Sequence, residues 1–228
     1  MSISKKIKKM SWMTTETPAA EIAEEVASLR SSAESYMNDD FPFGGGPDRV
    51  PRGIEVDENR IYFYCPVGTR EALELNRLIR KLDIEMKYLS DRLSCQKVPI
   101  HLHIHSPGGD IFAGLSIVDN IKQCKTPVYT YIDGSAASAA TLISTAGHKR
   151  FISENSFMLI HQPSLIWAGK LDEFVDEIEN QKALYENIIR AYLATCDLNR
   201  DELEELLKHE LWLDAETCLE KGFVDKIL

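Results

Sequence analysis

The chain has 228 residues, 44% of them hydrophobic, and a formal net charge of −10. That composition suits one good-sized domain with a full core, and its sign is wrong for a general nucleic-acid binder. Cys65, Cys95, Cys124, Cys196 and Cys218 are odd in number and lack a CxxC pair, no apolar run reaches membrane-spanning length, and no apolar stretch of a secretory signal follows Lys5, Lys6, Lys8 and Lys9, so a soluble cytoplasmic protein with reduced thiols is expected.

Residues 1 to about 17 are polar and patternless, and Ala19 to Met37 carries Ile22, Val26, Leu29 and Tyr36 at roughly helical spacing. The turn-rich Asp39 to Gly53, with Phe41-Pro42-Phe43-Gly44-Gly45-Gly46-Pro47 and Pro51, marks the edge of the globular domain. The expected division is an N-terminal extension over 1–52, either a tail or a propeptide or docking segment, and one domain over 53–228.

From Ile61 the chain alternates strand and helix. Ile61 to Tyr64 is an expected strand, Thr69 to Leu93 an amphipathic helix, Val98 to Ile104 a strand, and Asp110 to Cys124 a helix. Val128 to Ile132 is the third strand and Ala139 to Ala146 the third helix, followed by short strands at Lys149–Ile152 and Phe157–Ile160. Strands separated by helices of this length indicate right-handed crossovers and a largely parallel sheet. Leu171 to Thr195 is a long helix with an apolar stripe broad enough for a subunit interface as well as a core. Helices at Asp201–Leu207 and Ala215–Lys221 and the segment Phe223–Ile227 close the chain.

Ser138 sits where the third strand meets the third helix, in Gly134-Ser135-Ala136-Ala137-Ser138-Ala139-Ala140. A serine on such a turn lifts its Oγ out of the sheet, the first free N–H groups of the helix lie beneath it, and small neighbours let a peptide backbone approach. The same run also suits a plain tight helix–sheet contact. A nucleophilic serine needs a base, and His161, at the end of Phe157-Met158-Leu159-Ile160, stands at the sheet rim where sites of parallel sheets collect. His148 and His209 lie in polar surroundings and read as surface residues. His101, His103 and His105 alternate on one strand and share a face. With no carboxylate or cysteine at ligand spacing beside them they read as core or interface residues, a metal site being the lesser alternative. In Ser106-Pro107-Gly108-Gly109-Asp110, paired glycines let Gly108 offer a backbone N–H beside that of Ala139.

Thr130-x-x-x-Gly134-x-Ala136-Ala137-Ser138-Ala139-Ala140-Thr141 resembles the active-serine signature of the ClpP family of serine peptidases. Arg150-x-x-x-Glu154-x-x-x-Met158-Leu159-Ile160-His161-Gln162-Pro163 is similar to that family's active-histidine signature. His105-Ser106-Pro107-Gly108-Gly109 stands where the family has Asn-Ser-Pro-Gly-Gly, and Trp212-Leu213 through Lys221-Gly222-Phe223-Val224-Asp225 is similar to its closing helix and strand. The likeness runs from about Ile61 to Leu228.

The resemblance implies an α/β ClpP/crotonase-like fold of repeated ββα and βαβ units with a protruding strand–helix handle. It implies Ser138 as nucleophile, His161 as general base, an oxyanion hole from the N–H groups of Gly108 and Ala139, and peptide contacts at Gly109, Ile111, Gln162 and Pro163. It further implies stacked rings, seven-membered in the family and built from one chain or with paralogous subunits. It implies a separate AAA+ unfoldase that delivers unfolded polypeptide; no G-x-x-x-x-G-K-[ST] occurs here, so any ATP dependence must come from another chain. No cofactor, metal, nucleic acid or membrane is implied. The Leu171–Thr195 helix, with the Gly169-containing loop before it, corresponds to the handle where rings meet.

Besides His105, three positions and the N-terminal segment depart from the family pattern. Glu210, two residues before Trp212, stands where most members have the aspartate of the triad, and Asp214 is the competing acid, though better suited to cap the next helix. Ala139 replaces the more usual methionine, which a backbone donor tolerates. Asp133 occupies a normally apolar position and calls for a hydrogen-bond partner or a subunit boundary. The N-terminal segment lacks the family's apolar axial loop. Alternatives are a catalytically impaired ring subunit, a stand-alone protease of the phage capsid-maturation type and, on the shared fold, a crotonase-type acyl-CoA enzyme.

Overall fold

The computed structural model describes residues 53–164 and 170–228. The 1–52 segment, with its helical pattern at Ala19 to Met37, and the Gly169 loop lie outside the described residues. In chain order the elements are β1 (Ile54–Asp57), β2 (Arg60–Phe63), α1 (Thr69–Leu93), β3 (Ile100–Ser106), α2 (Ile111–Gln123), β4 (Val128–Ala137) and α3 (Ala139–Thr145). There follow β5 (Lys149–Ile152), β6 (Phe157–Leu159), α4 (Leu171–Leu193), α5 (Arg200–Leu207), β7 (Trp212–Leu213), α6 (Ala215–Glu220) and β8 (Lys226–Ile227). The strands form one sheet in the order β1-β2-β3-β4-β5-β8, with β6 joined to β4 and β7 to β6. The pairs β2–β3, β3–β4, β4–β5, β4–β6 and β5–β8 are parallel.

Helix α1 has the bounds its apolar spacing predicts. Ala72, Leu75, Ile79 and Leu82 recur three or four residues apart and are buried against the sheet, and Ser94 ends the helix in the left-handed region. On β3 the alternation is strict: Ile100, Leu102 and Ile104 are fully buried on the helix side. Each such side chain contributes roughly 1.5–3 kcal/mol by leaving water. The intervening His101, His103 and His105 point outward, so they are not core residues.

That outward face carries a cross-strand stack. Tyr62, His103, Tyr131 and Phe151 are register partners on β2, β3, β4 and β5, with successive ring centroids 4.9, 4.5 and 4.7 Å apart. Asp133 closes the end of the stack, accepting hydrogen bonds from Tyr64 Oη (2.8 Å) and His103 Nδ1 (2.7 Å). The carboxylate at a normally apolar position therefore has two partners. Among the described residues no group of three or more His, Cys, Asp or Glu is arranged to hold a metal ion.

Strand β4 is the longest, and it continues five residues beyond the expected Ile132. Tyr129 to Ile132 pair with β5, whereas Ser135 to Ala137 pair with β6. The sheet thus forks along β4, and the chain leaves the fork at Ser138. At the far edge the Arg150 guanidinium bonds Asp225 (Nη2–Oδ1 2.5 Å), the Gly222 carbonyl (2.8 Å) and the Thr195 carbonyl, tying β5 to the C-terminal segment and the end of α4. All five cysteines are free; Cys65 and Cys218 are buried, and Cys95 is exposed.

Candidate active site

Ser138 has φ 54° and ψ −128°, a left-handed conformation that a residue with a Cβ rarely adopts and that costs about 1–3 kcal/mol. The surroundings hold it there. Its N–H donates to the Leu159 carbonyl (2.8 Å), and its own carbonyl accepts from Thr141 N–H (2.9 Å) and Thr141 Oγ1 (2.6 Å). The serine side chain makes no capping bond to α3, which leaves Oγ for the cleft above.

Gly108 abuts this turn. With φ +84°, a Cβ on it would lie 2.7 Å from Ser138 Cβ and 3.0 Å from Ala139 N, and closer still to the Ala137 carbonyl oxygen. Only glycine brings the two backbones so near. The glycine turn is pinned from both sides by Val67, whose N–H donates to Gly108 O (2.8 Å) and whose carbonyl accepts from Asp110 N–H (2.8 Å). Asp110 then caps α2 through Ala113 N–H (3.0 Å). Gly108 N–H is directed at the buried Ser106 Oγ at 3.2 Å, at the long end of the hydrogen-bond range, where an incoming oxyanion competes well.

Sheet register brings His161 to the serine. Ala137 pairs with Leu159, the Ser138 N–H extends that ladder by one bond, and His161 follows two residues later. On its other side β6 pairs antiparallel with β7, Leu159 opposite Trp212. Continuing that register by two residues sets His161 opposite Glu210, and His161 Nδ1 lies 3.8 Å from Glu210 Oε1. This is an ion-pair distance but not a hydrogen bond. The imidazole is 20% exposed and the carboxylate 78%. Ser138 and His161 line the same cleft, and among the described residues no hydrogen bond links Ser138 Oγ to His161, a kind of bond that in many hydrolases tightens only with substrate in place. Asp214 is committed elsewhere: its Oδ1 accepts from Thr217 N–H (2.8 Å) as the cap of α6, and the Thr217 hydroxyl together with that N–H holds its pKa below the usual carboxylate range.

Ser138, Ala139, His161, Gly109, Ile111 and Pro163 line one cleft of about 370 Å³. Gln162 is exposed outside it, its N–H donating to the Leu207 carbonyl (2.9 Å). The cleft has four further apolar lining residues that sequence reasoning did not single out: Phe112 from α2, Leu142 from α3, and Ile188 and Tyr192 from α4. Their signal was present only as helical apolar spacing, which does not distinguish a core position from a pocket wall.

A largely parallel α/β sheet whose longest described strand ends in a strained serine beneath an open cleft fits a serine-type hydrolase. Comparison with known proteins narrows the class. The Clp protease family matches residues 83–228. The ATP-dependent Clp protease proteolytic subunit 1 of Chlamydia muridarum is 34% identical over 180 residues, covering 76% of this chain and 88% of that protein. Proteolytic subunit 2 of Treponema pallidum is 31% identical over 176 residues, covering 74% and 86%. Among solved structures, a ClpP1 point mutant from Listeria monocytogenes superposes with a TM-score of 0.62 at 26% identity, covering 72% of this chain and 88% of that one. The chain belongs to the Clp protease family and is a serine-type peptidase. No helix among the described residues is long and apolar enough to cross a membrane.

Proposed function

We propose that this chain is an endopeptidase subunit in which Ser138 attacks the scissile carbonyl and His161 takes its proton. Glu210 orients the imidazole, and the N–H groups of Gly108 and Ala139 receive the oxyanion. The reading is carried by one observation: a serine forced to φ 54° at the cleft floor, with the backbone of Gly108 pressed against it. In the acylation step the carbonyl π electrons move to oxygen as the Oγ–C bond forms; the oxyanion then collapses to C=O, breaking the C–N bond as the imidazolium protonates the leaving amine. Water repeats the sequence in deacylation. Gly109, Ile111 and Pro163 flank the extended peptide on this reading, with Gln162 at the rim.

The same reading makes residues 53–228 the peptidase domain and 1–52 an appended segment. It has the chain assembling into stacked rings through α4, whose Leu171, Phe174, Val175 and Ile178 are exposed in the single chain. Unfolded polypeptide would be supplied by a separate AAA+ ATPase in the cytoplasm. The test is labelling by a fluorophosphonate probe together with cleavage of a fluorogenic peptide. Both are expected in the native protein and absent in Ser138→Ala; cleavage that survives this substitution overturns the reading. A second reading, a ring subunit of impaired activity, is favoured only by the exposure of Glu210 and the 3.8 Å gap to His161. Labelling without turnover would select it.

A further inference from the structure

The serine turn has a support that comes from another element. Tyr192, on α4, is 2% exposed, and its hydroxyl lies 2.6 Å from Thr141 Oγ1. Thr141 Oγ1 lies in turn 2.6 Å from the Ser138 carbonyl oxygen. A carbonyl has no proton to give, so the Thr141 hydroxyl donates to it and must accept from Tyr192. The order is fixed: Tyr192 O–H to Thr141 Oγ1, Thr141 O–H to Ser138 C=O.

A hydroxyl that bonds back to the carbonyl three residues earlier is ordinary in a helix. In α3 itself Ser144 does so to Thr141 (2.9 Å) and Thr145 to Leu142 (3.1 Å). What separates Thr141 is the buried phenol behind it and the peptide in front of it. The Ser138–Ala139 peptide is planar and trans, so its C=O and N–H point in opposite directions. Holding the carbonyl toward Thr141 aims the Ala139 N–H away from Thr141, on the side where Ala139 walls the cleft.

We propose that Tyr192, acting through Thr141, is a positioning residue that aims the Ala139 N–H at the developing oxyanion. The proposal rests on the reading of Ser138 as nucleophile. Because the oxyanion exists only along the reaction path, loss of the relay lowers kcat and leaves substrate binding nearly untouched. A role confined to packing would instead move stability, or kcat and KM together.

The experiment measures kcat and KM of the full chain on a fluorogenic peptide, and the affinity of a peptide boronate whose tetrahedral adduct places an oxygen in the hole. Tyr192→Phe and Thr141→Val are each expected to lower kcat about tenfold, with KM within about twofold, and to weaken the boronate in proportion. The double variant should lose no more than the worse single one, since the two hydroxyls act as one chain. Thr141→Ser restores the rate, and Thr145→Val, a matched back-bonding site without a phenol behind it, leaves it unchanged. Native kcat in Tyr192→Phe, additive losses, or an equal loss in Thr145→Val overturns the proposal alone. Cleavage persisting in Ser138→Ala overturns the nucleophile assignment and the proposal with it.

Discussion

His161 and Glu210 face each other across the continuation of the β6–β7 ladder, Nδ1 to Oε1 3.8 Å, with the imidazole largely enclosed and the carboxylate 78% exposed. An exposed carboxylate at that separation holds an imidazole weakly, because water screens the attraction and competes for the ring N–H. Glu210→Gln is therefore expected to lower kcat about tenfold, far short of the roughly 10⁴-fold loss when a buried triad aspartate becomes asparagine. Steady-state peptide cleavage measures this. A loss of the larger size would mean that substrate draws the carboxylate onto the ring.

Gly108→Ala tests the contact between the two turns. Its methyl group would lie 2.7 Å from Ser138 Cβ, on a residue whose φ of +84° is already unfavourable for alanine. The variant is expected to lose about 2 kcal/mol of stability and nearly all activity. Chemical denaturation and peptide cleavage read the two effects separately, and an active, fully stable variant would remove Gly108 from the oxyanion site.

Asp133 gives a prediction in pH. Burial alone would raise its pKa, but the hydrogen bonds from His103 and Tyr64, with the nearby imidazole charge, outweigh it and hold the carboxyl below its ordinary value. A carboxyl depressed in the folded state stabilises fully above its unfolded pKa, near 4, and that contribution is lost as pH falls through the lower folded value. Native protein should exceed Asp133→Asn by about 2 kcal/mol at neutral pH, with the gap closing in acid below about pH 4. Denaturation midpoints across pH check it; a gap that widens in acid has the wrong sign.

The outer part of α4 should govern assembly. Leu171 is 78% exposed and Val175 54%, an unfavourable arrangement for apolar residues on a lone helix. The double variant Phe174→Glu, Val175→Glu is expected to weaken the proposed ring-to-ring association by more than about tenfold while each subunit stays folded. Native mass spectrometry reports the particle size and circular dichroism the fold.

Much of this fold is legible from periodicity. The apolar stripe of α1 fixes its bounds, and the alternation on β3 separates the buried isoleucines from the histidines. Two strands escape such reading. In β1 only Ile54 is buried, so no alternation exists to detect, and β7 is two residues long. The end of β4 escapes for another reason. Gly134-Ser135-Ala136-Ala137 has little strand propensity of its own and is extended because β3 and β6 pair with it. In the candidate site, Ser138, His161 and Gly108 are legible as candidates because their local sequences are distinctive. Tyr192 is not, since its partner Thr141 is 51 residues away and nothing in either neighbourhood announces the other.

The left-handed conformation of Ser138 has a consequence for how such a chain drifts. Glycine would occupy φ 54° at little steric cost, so Ser138→Gly relieves strain while deleting the hydroxyl of the proposed nucleophile. At this one position thermal robustness and turnover pull in opposite directions. A library of variants ranked by melting temperature would favour glycine there, and one ranked by cleavage would reject it.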